Sequence, residues 1–123
     1  MRILLDTHVL IWWDEGARLH PDAVRAIRAA DQVYVSAVSG WEIAIKTSLG
    51  RLRPTRSVAQ ALAQSGFEEL PVRLEHAAVL SRRPWHHRDP FDRMLAAQAQ
   101  AEGLTLVTRD RVFERYKVRV LQA

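Results

Sequence analysis

The feature that most constrains this chain is an alternation, in which short apolar, β-branched runs recur between segments with helical signals. Ile3-Leu4-Leu5 comes first, then Val33-Tyr34-Val35, Phe67 to Val72, Leu104-Thr105-Leu106-Val107 and finally Val118-Arg119-Val120-Leu121. A continuous apolar run bounded by turn residues suits a strand covered on both faces. The intervening segments read as helices. Thr7 to Asp14 is stopped by Gly16, and a second helix opens with Pro21, turning Ala23, Val24, Ile27 and Ala30 inward and Arg25 and Arg28 to water. Ser36 caps a third helix running to Leu49 with Gly50 at its C-cap, and Ser57 caps a fourth ending at Gly66. Leu74 to Leu80 is a fifth, and Asp89-Pro90 opens a sixth that Gly103 closes. Strands separated by helices predict an α/β fold: a single three-layer α/β/α domain over residues 1–123, with right-handed crossovers and a mainly parallel sheet of about five strands. The third strand holds Pro71 and is expected near an edge.

A chain of 123 residues with 48% hydrophobic content supplies a full core without a covalent staple. The absence of cysteine excludes disulfide frameworks, thiolate zinc sites and cysteine nucleophiles, and fits a reducing compartment, so a cytoplasmic location is expected. Asp6 and His8 interrupt the first apolar stretch, which is therefore neither a signal-peptide core nor a membrane span. The balance of 18 Lys+Arg against 14 Asp+Glu gives +4 and a pI near 10.3, which favours anionic partners.

In an open parallel sheet, ligands bind beyond the carboxyl ends of the strands, so acids placed just after strands carry the most information. Asp6, Glu42, Asp92 and Asp110 qualify. Each also has an ordinary reading. Asp6 suits an N-cap, Glu42 has Lys46 at i+4 for a surface ion pair, Asp89 and Asp92 occupy N-cap and N3 positions, and Asp110 sits in a Thr-Arg-Asp turn. However, Val38, Ile45 and Leu49 place Glu42 against an apolar face, and Leu95, Ala96 and Ala99 put Asp92 at the head of a buried stripe. Four carboxylates meeting at one sheet edge repel by several kcal/mol per close pair at an effective dielectric of about 20, so they need protons or cations. All-oxygen ligation selects Mg²⁺, with Mn²⁺ as substitute, and a phosphate is the expected substrate group.

Leu4-Leu5-Asp6-Thr7-His8, Ser39-Gly40-Trp41-Glu42-Ile43-Ala44-Ile45-Lys46, His87 to Ala99 and Leu106-Val107-Thr108-Arg109-Asp110 together resemble PIN-domain ribonucleases, specifically VapC-type toxins. These four ordered blocks span nearly the whole chain. The resemblance implies a metal-dependent endoribonuclease acting as the toxin of a type II toxin-antitoxin system, held inactive by a cognate antitoxin and forming a homodimer. It places the family's acids on Asp6, Glu42, Asp92 and Asp110 as catalytic and metal-binding residues. Asp89 is an extra carboxylate, open to roles as a further ligand, a water-positioning group or only a cap. One or two ions held by Asp6 and Asp92, with or without Asp110, polarise the scissile phosphate and acidify the attacking water. Glu42 is either a ligand through water or the group orienting that nucleophile. Thr7 and Thr108 are expected to hydrogen-bond the ligating carboxylates or the substrate phosphate.

Arg88, Arg93, Arg109 and Arg111, with Arg82, Arg83, His86 and His87 nearby, form a candidate track for an RNA backbone, against the plainer reading of a solvated basic face. Only one ring of Trp12-Trp13 is expected to face the core, the other marking a partner surface, and Trp41 and Trp85 read as core or groove residues. Two alternatives compete. A Mg²⁺-binding receiver-like signalling domain needs an acceptor Asp after the middle strand, where this chain has Leu70-Pro71-Val72-Arg73, and a Lys after the last, where it has Leu121-Gln122-Ala123. A non-catalytic RNA-binding module fits poorly with a full set of four acids.

Overall fold

The computed structural model describes residues 1–82 and 89–123. In chain order the elements are β1 (Arg2–Leu5), α1 (Thr7–Asp14), α2 (Pro21–Ala29), β2 (Gln32–Ser36), α3 (Ala37–Ser48), α4 (Val58–Ser65), β3 (Glu68–Leu70), α5 (Leu74–Ser81), α6 (Pro90–Glu102), β4 (Thr105–Thr108), a 3₁₀ turn (Arg111–Arg115) and β5 (Arg119–Gln122). The strands form one parallel sheet in the order β3-β2-β1-β4-β5. The chain winds outward from β1 through β2 to β3, then crosses back to lay β4 on the other side of β1. The crevice at β1 and β4 is thus the point where winding reverses, the position at which such sheets bind ligands. Receiver-type sheets run 2-1-3-4-5 instead, so the signalling alternative fails on topology.

Side chains of each strand alternate between two cores. Ile3 and Leu5 of β1, with Val33, Val35 and Val107, pack under Val9, Leu10, Ala23, Ile27 and Ile43 of the first three helices. Leu4 and Leu106 point the other way, onto Leu95, Ala96 and Ala99 of α6 and onto Phe113. Phe113 is fully buried from the 3₁₀ turn, an element the sequence pattern did not predict, and burial of such a side chain contributes about 1.5–3 kcal/mol.

Helix ends follow local chemistry. Ser57 and Gln60 form a reciprocal capping box on α4. Asp89 accepts from the Phe91 amide at 2.8 Å to start α6, and Gly103 ends it in the left-handed region at φ 66°. Two expectations need correction. α3 stops at Ser48 with Leu49 as the capping residue, Gly50 following at φ 72°, and Leu49 is 61% exposed, so the apolar face around Glu42 does not reach it. The third strand is only Glu68–Leu70, because Pro71 has no N–H to extend the ladder.

Candidate active site

Parallel strands lie about 4.8 Å apart, so acids carried just beyond the ends of adjacent strands are forced into proximity. Asp6 leaves β1 directly, with its amide still in the ladder to Val107 at 3.0 Å, and caps α1. Asp110 follows β4 and caps the 3₁₀ turn through the Val112 amide at 2.9 Å. Glu42 projects from α3, which Ser36 at the end of β2 caps, and Asp92 stands in the first turn of α6. These four acids line one cleft of about 340 Å³ together with Asp89, Lys46, Arg109, His8 and Trp12. The capping readings of Asp6 and Asp89 describe their backbone bonds correctly, and Asp110, expected in a turn, caps the 3₁₀ turn; yet all three side chains also line the cleft.

The electrostatics are strained. Burial pushes the Asp6 carboxyl above the ordinary value, opposed by hydrogen bonds from the Thr108 hydroxyl at 2.7 Å and the Thr7 amide at 2.7 Å. Asp92 is pushed up to about 8, first by desolvation and then by the charges of Asp6, Asp89, Glu42 and Asp110. Glu42 is 2% exposed; its Oε2 accepts from Lys46 Nζ at 2.6 Å, and its Oε1 is buried with no hydrogen-bond partner among the described residues. A buried carboxylate oxygen without a hydrogen bond beside a carboxyl raised by burial and by its neighbours' charges fits a donor set that can take up a cation. The donors are all oxygen, which matches a hard divalent ion.

Thr108 binds Asp6 and also accepts the Asp110 amide at 3.0 Å, tying two acids to one hydroxyl. Thr7 differs from expectation. It offers Asp6 its backbone N–H, while its hydroxyl pairs with Ser39 at 2.7 Å. Of the arginines, Arg109 lines the cleft, its guanidinium 4.0 Å above the Trp12 ring and bonded to the Arg18 carbonyl. Arg93 is half-buried on α6 and Arg111 is exposed beyond Asp110. Arg88, with Arg83, Trp85, His86 and His87, lies outside the described residues.

Both rings of Trp12-Trp13 are half-buried, contrary to a one-in, one-out arrangement: Trp13 donates to Ser65 at 3.0 Å and leans on Phe67, and Trp12 walls the cleft. Trp41 is not core but 63% exposed, edge-on to Phe91 at 5.1 Å. Lys46 was legible only as a surface partner of Glu42, although its i+4 spacing already put it on the same helix face.

A second donor group, Glu75, His76 and Glu102, lies at the far end of α6. The Arg73 amide donates to His76 Nδ1 at 3.0 Å, so Nε2 carries the proton and donates to Glu102 at 2.8 Å. With both ring nitrogens engaged, this group braces α5 against α6.

Comparison with known proteins agrees with this architecture. Ribonuclease VapC22 of Mycobacterium tuberculosis is 36% identical over 114 residues, covering 89% of this chain and 87% of that protein. The structure of DNA-bound VapBC from Salmonella typhimurium superposes with a TM-score of 0.75 at 23% identity, covering 99% of this chain and 98% of the other. VapBC2 from Rickettsia felis, bound to a promoter DNA fragment, gives 0.70 at 16% identity over 99% and 98%. The PIN-domain signature matches residues 3–119, and the chain belongs to the PIN-domain family.

Proposed function

We propose that this protein is an endoribonuclease dependent on Mg²⁺, or Mn²⁺ in its place, and the toxin of a type II toxin-antitoxin pair. The observation that carries the reading is the convergence of Asp6, Glu42, Asp92 and Asp110 in one cleft, with Asp92 raised to about 8 and Glu42 Oε1 unpaired. Asp6, Asp92 and Asp110 would hold the cation, and Glu42 would do so directly or through a water. When bound there, a divalent cation supplies Lewis acidity toward a phosphate oxygen and acidifies water. Thr108 holds the Asp6 carboxylate in place, and Arg109, fixed against Trp12, offers positive charge at the cleft mouth. A basic chain with an acid-lined cleft draws a polyanion by its overall field and receives a single phosphate at the acids.

Water attacks phosphorus in line and the bond to the 3′ oxygen breaks, so the products carry 5′-phosphate and 3′-hydroxyl ends. Labelled structured RNA incubated with Mg²⁺ is expected to be cut, and EDTA is expected to stop cleavage. Equal cleavage in both tubes, or a 2′,3′-cyclic phosphate product, removes the assignment.

The inhibitory partner is a cognate antitoxin, a reading supported by the toxin-antitoxin complexes among the structural neighbours. An apolar groove of α1, α3 and α4, lined by Leu10, Ile11, Ile43, Leu52 and Val58 and rimmed by Asp14 and Arg56, suits an amphipathic antitoxin segment that extends a Lys or Arg toward Asp6 and Asp92. Activity that survives saturation with the cognate antitoxin excludes this inhibitory role. A homodimer belongs to the same reading, and sedimentation of the purified chain measures it. None of the described helices is long and apolar enough to cross a membrane.

A further inference from the structure

Among the described residues the cleft lining includes two basic side chains, Lys46 and Arg109, and they are held differently. Arg109 is pinned by the Trp12 face and the Arg18 carbonyl. Lys46 has, among the described residues, a single partner, Glu42 Oε2 at 2.6 Å, and its side chain is 29% exposed while that of Glu42 is 3% exposed. The pair differs from a fully exposed i,i+4 pair in one respect: only the ammonium is hydrated, so the attraction stays partly screened while the carboxylate is buried. Here the acid lies inside the cleft wall, only one of its oxygens is satisfied, and a flexible, hydrated ammonium reaches in from the mouth.

Building on the metal-dependent phosphodiesterase reading above, we propose that Lys46 is a resident counter-ion. It neutralises Glu42 when no cation is bound, cedes Glu42 to an entering divalent ion, and then places its ammonium on a non-bridging oxygen of the substrate phosphate. The charges dictate the sequence of events. Five carboxylates line the cleft, so a bare Glu42 would add a further repulsive charge, and Lys46 removes it. A single partly exposed pair is weak, so a dication bound also by Asp6 and Asp92 displaces it readily. The released ammonium remains tethered one turn from Glu42, and a phosphate diester drawn to the ion brings the next anionic oxygen within its reach. Lys46 then acts on the substrate directly, with three donors free to rotate onto it.

The test separates the two roles. Binding of Mn²⁺ to the full-length chain, read from the EPR signal of the free ion, is expected to tighten by up to about fivefold in Lys46→Met, the factor lost to competition from a weak pair. Cleavage of a labelled single-stranded RNA oligonucleotide at saturating Mn²⁺ is expected to fall by about a hundredfold in the same variant, the usual effect of removing one donor from a developing charge. Lys46→Arg keeps the charge and is expected to restore most of the cleavage. In a Glu42→Gln background, Lys46→Met is expected to bring no gain in Mn²⁺ affinity. Unchanged or weaker Mn²⁺ binding in Lys46→Met overturns the counter-ion role, and unchanged cleavage overturns the phosphate contact. Tighter Mn²⁺ binding in a protein whose wild type cuts no RNA upholds the counter-ion role and overturns the nuclease reading instead.

Discussion

Replacing Asp92 by Asn is expected to stabilise the metal-free protein, and to do so only above the acid range. The Asp92 carboxyl is raised from 3.8 to about 8, so between those pH values the native state holds a proton that the denatured chain has released. Where the native state binds more protons, stability falls as pH rises, so the penalty starts near pH 4, grows to about pH 8 and is constant beyond. At pH 7 the separation from 3.8 is 3.2 units, about 4 kcal/mol at 1.36 kcal/mol per unit. Asp92 is only half-buried, and solvent screening reduces this to about 2 kcal/mol. Asn has no such proton linkage. Thermal unfolding in EDTA is therefore expected to show Asp92→Asn melting about 5–10 °C above wild type at pH 7, with the two curves converging at pH 4. Saturating Mg²⁺ is expected to erase or reverse the difference, because the cation binds the ionised wild-type carboxylate. Cleavage is expected to drop by orders of magnitude in the same variant. Equal melting at pH 7, or a difference that is the same at pH 4, refutes the argument that burial and neighbouring charge hold Asp92 protonated.

Asp89→Asn still caps α6, so it is expected to shift stability by a few tenths of a kcal/mol and to keep its cleavage activity; a dead Asp89→Asn beside an active Asp92→Asn would move the third acid to Asp89. Asp6→Asn is expected to gain less metal-free stability than Asp92→Asn, since Thr108 and Thr7 already offset the burial of Asp6, while its cleavage also collapses; a larger gain in paired melts contradicts this. Thr108→Val removes the donor to Asp6 and the acceptor for the Asp110 amide, with an expected cost of about 2 kcal/mol and a further rise in the Asp6 pKa, measurable by denaturant unfolding and carboxyl NMR titration.

Much of this was legible because the governing signals are local. Asp89-Pro90 and Gly103 bracket α6 through capping and φ, and Ile3, Leu4 and Leu5 are apolar in succession because β1 is covered on both faces. The acids could be placed by rule, since residues after parallel strands face the ligand edge. What stayed hidden depends on packing across the chain. The Thr7 hydroxyl goes to Ser39 rather than to a carboxylate because α1 and α3 meet there, 32 residues apart in sequence. Trp41 is exposed although its apolar surface suggested burial, because Glu42 and Ile43 take the inward face of α3. The 3₁₀ turn was invisible because its sequence has no helical period; it forms around the burial of Phe113 and the Asp110 cap.

The same topology that makes the acids readable also makes them costly. With β1 flanked by β2 and β4 at about 4.8 Å on either side, Asp6 and Asp110 leave adjacent strands at one end of the sheet, and α3 and α6 bring Glu42 and Asp92 to the same cleft. The chain limits this cost without abolishing it: Thr108 and the Thr7 amide satisfy Asp6, Lys46 satisfies half of Glu42, and Asp92 holds its proton up to about pH 8. On the metal-dependent reading proposed above, a divalent cation would reverse two of these arrangements, taking the Asp92 carboxylate in place of its proton and Glu42 in place of its lysine. On that reading the instability stored at the crevice would also be its affinity for the ion, and a substitution that relieves one is expected to weaken the other.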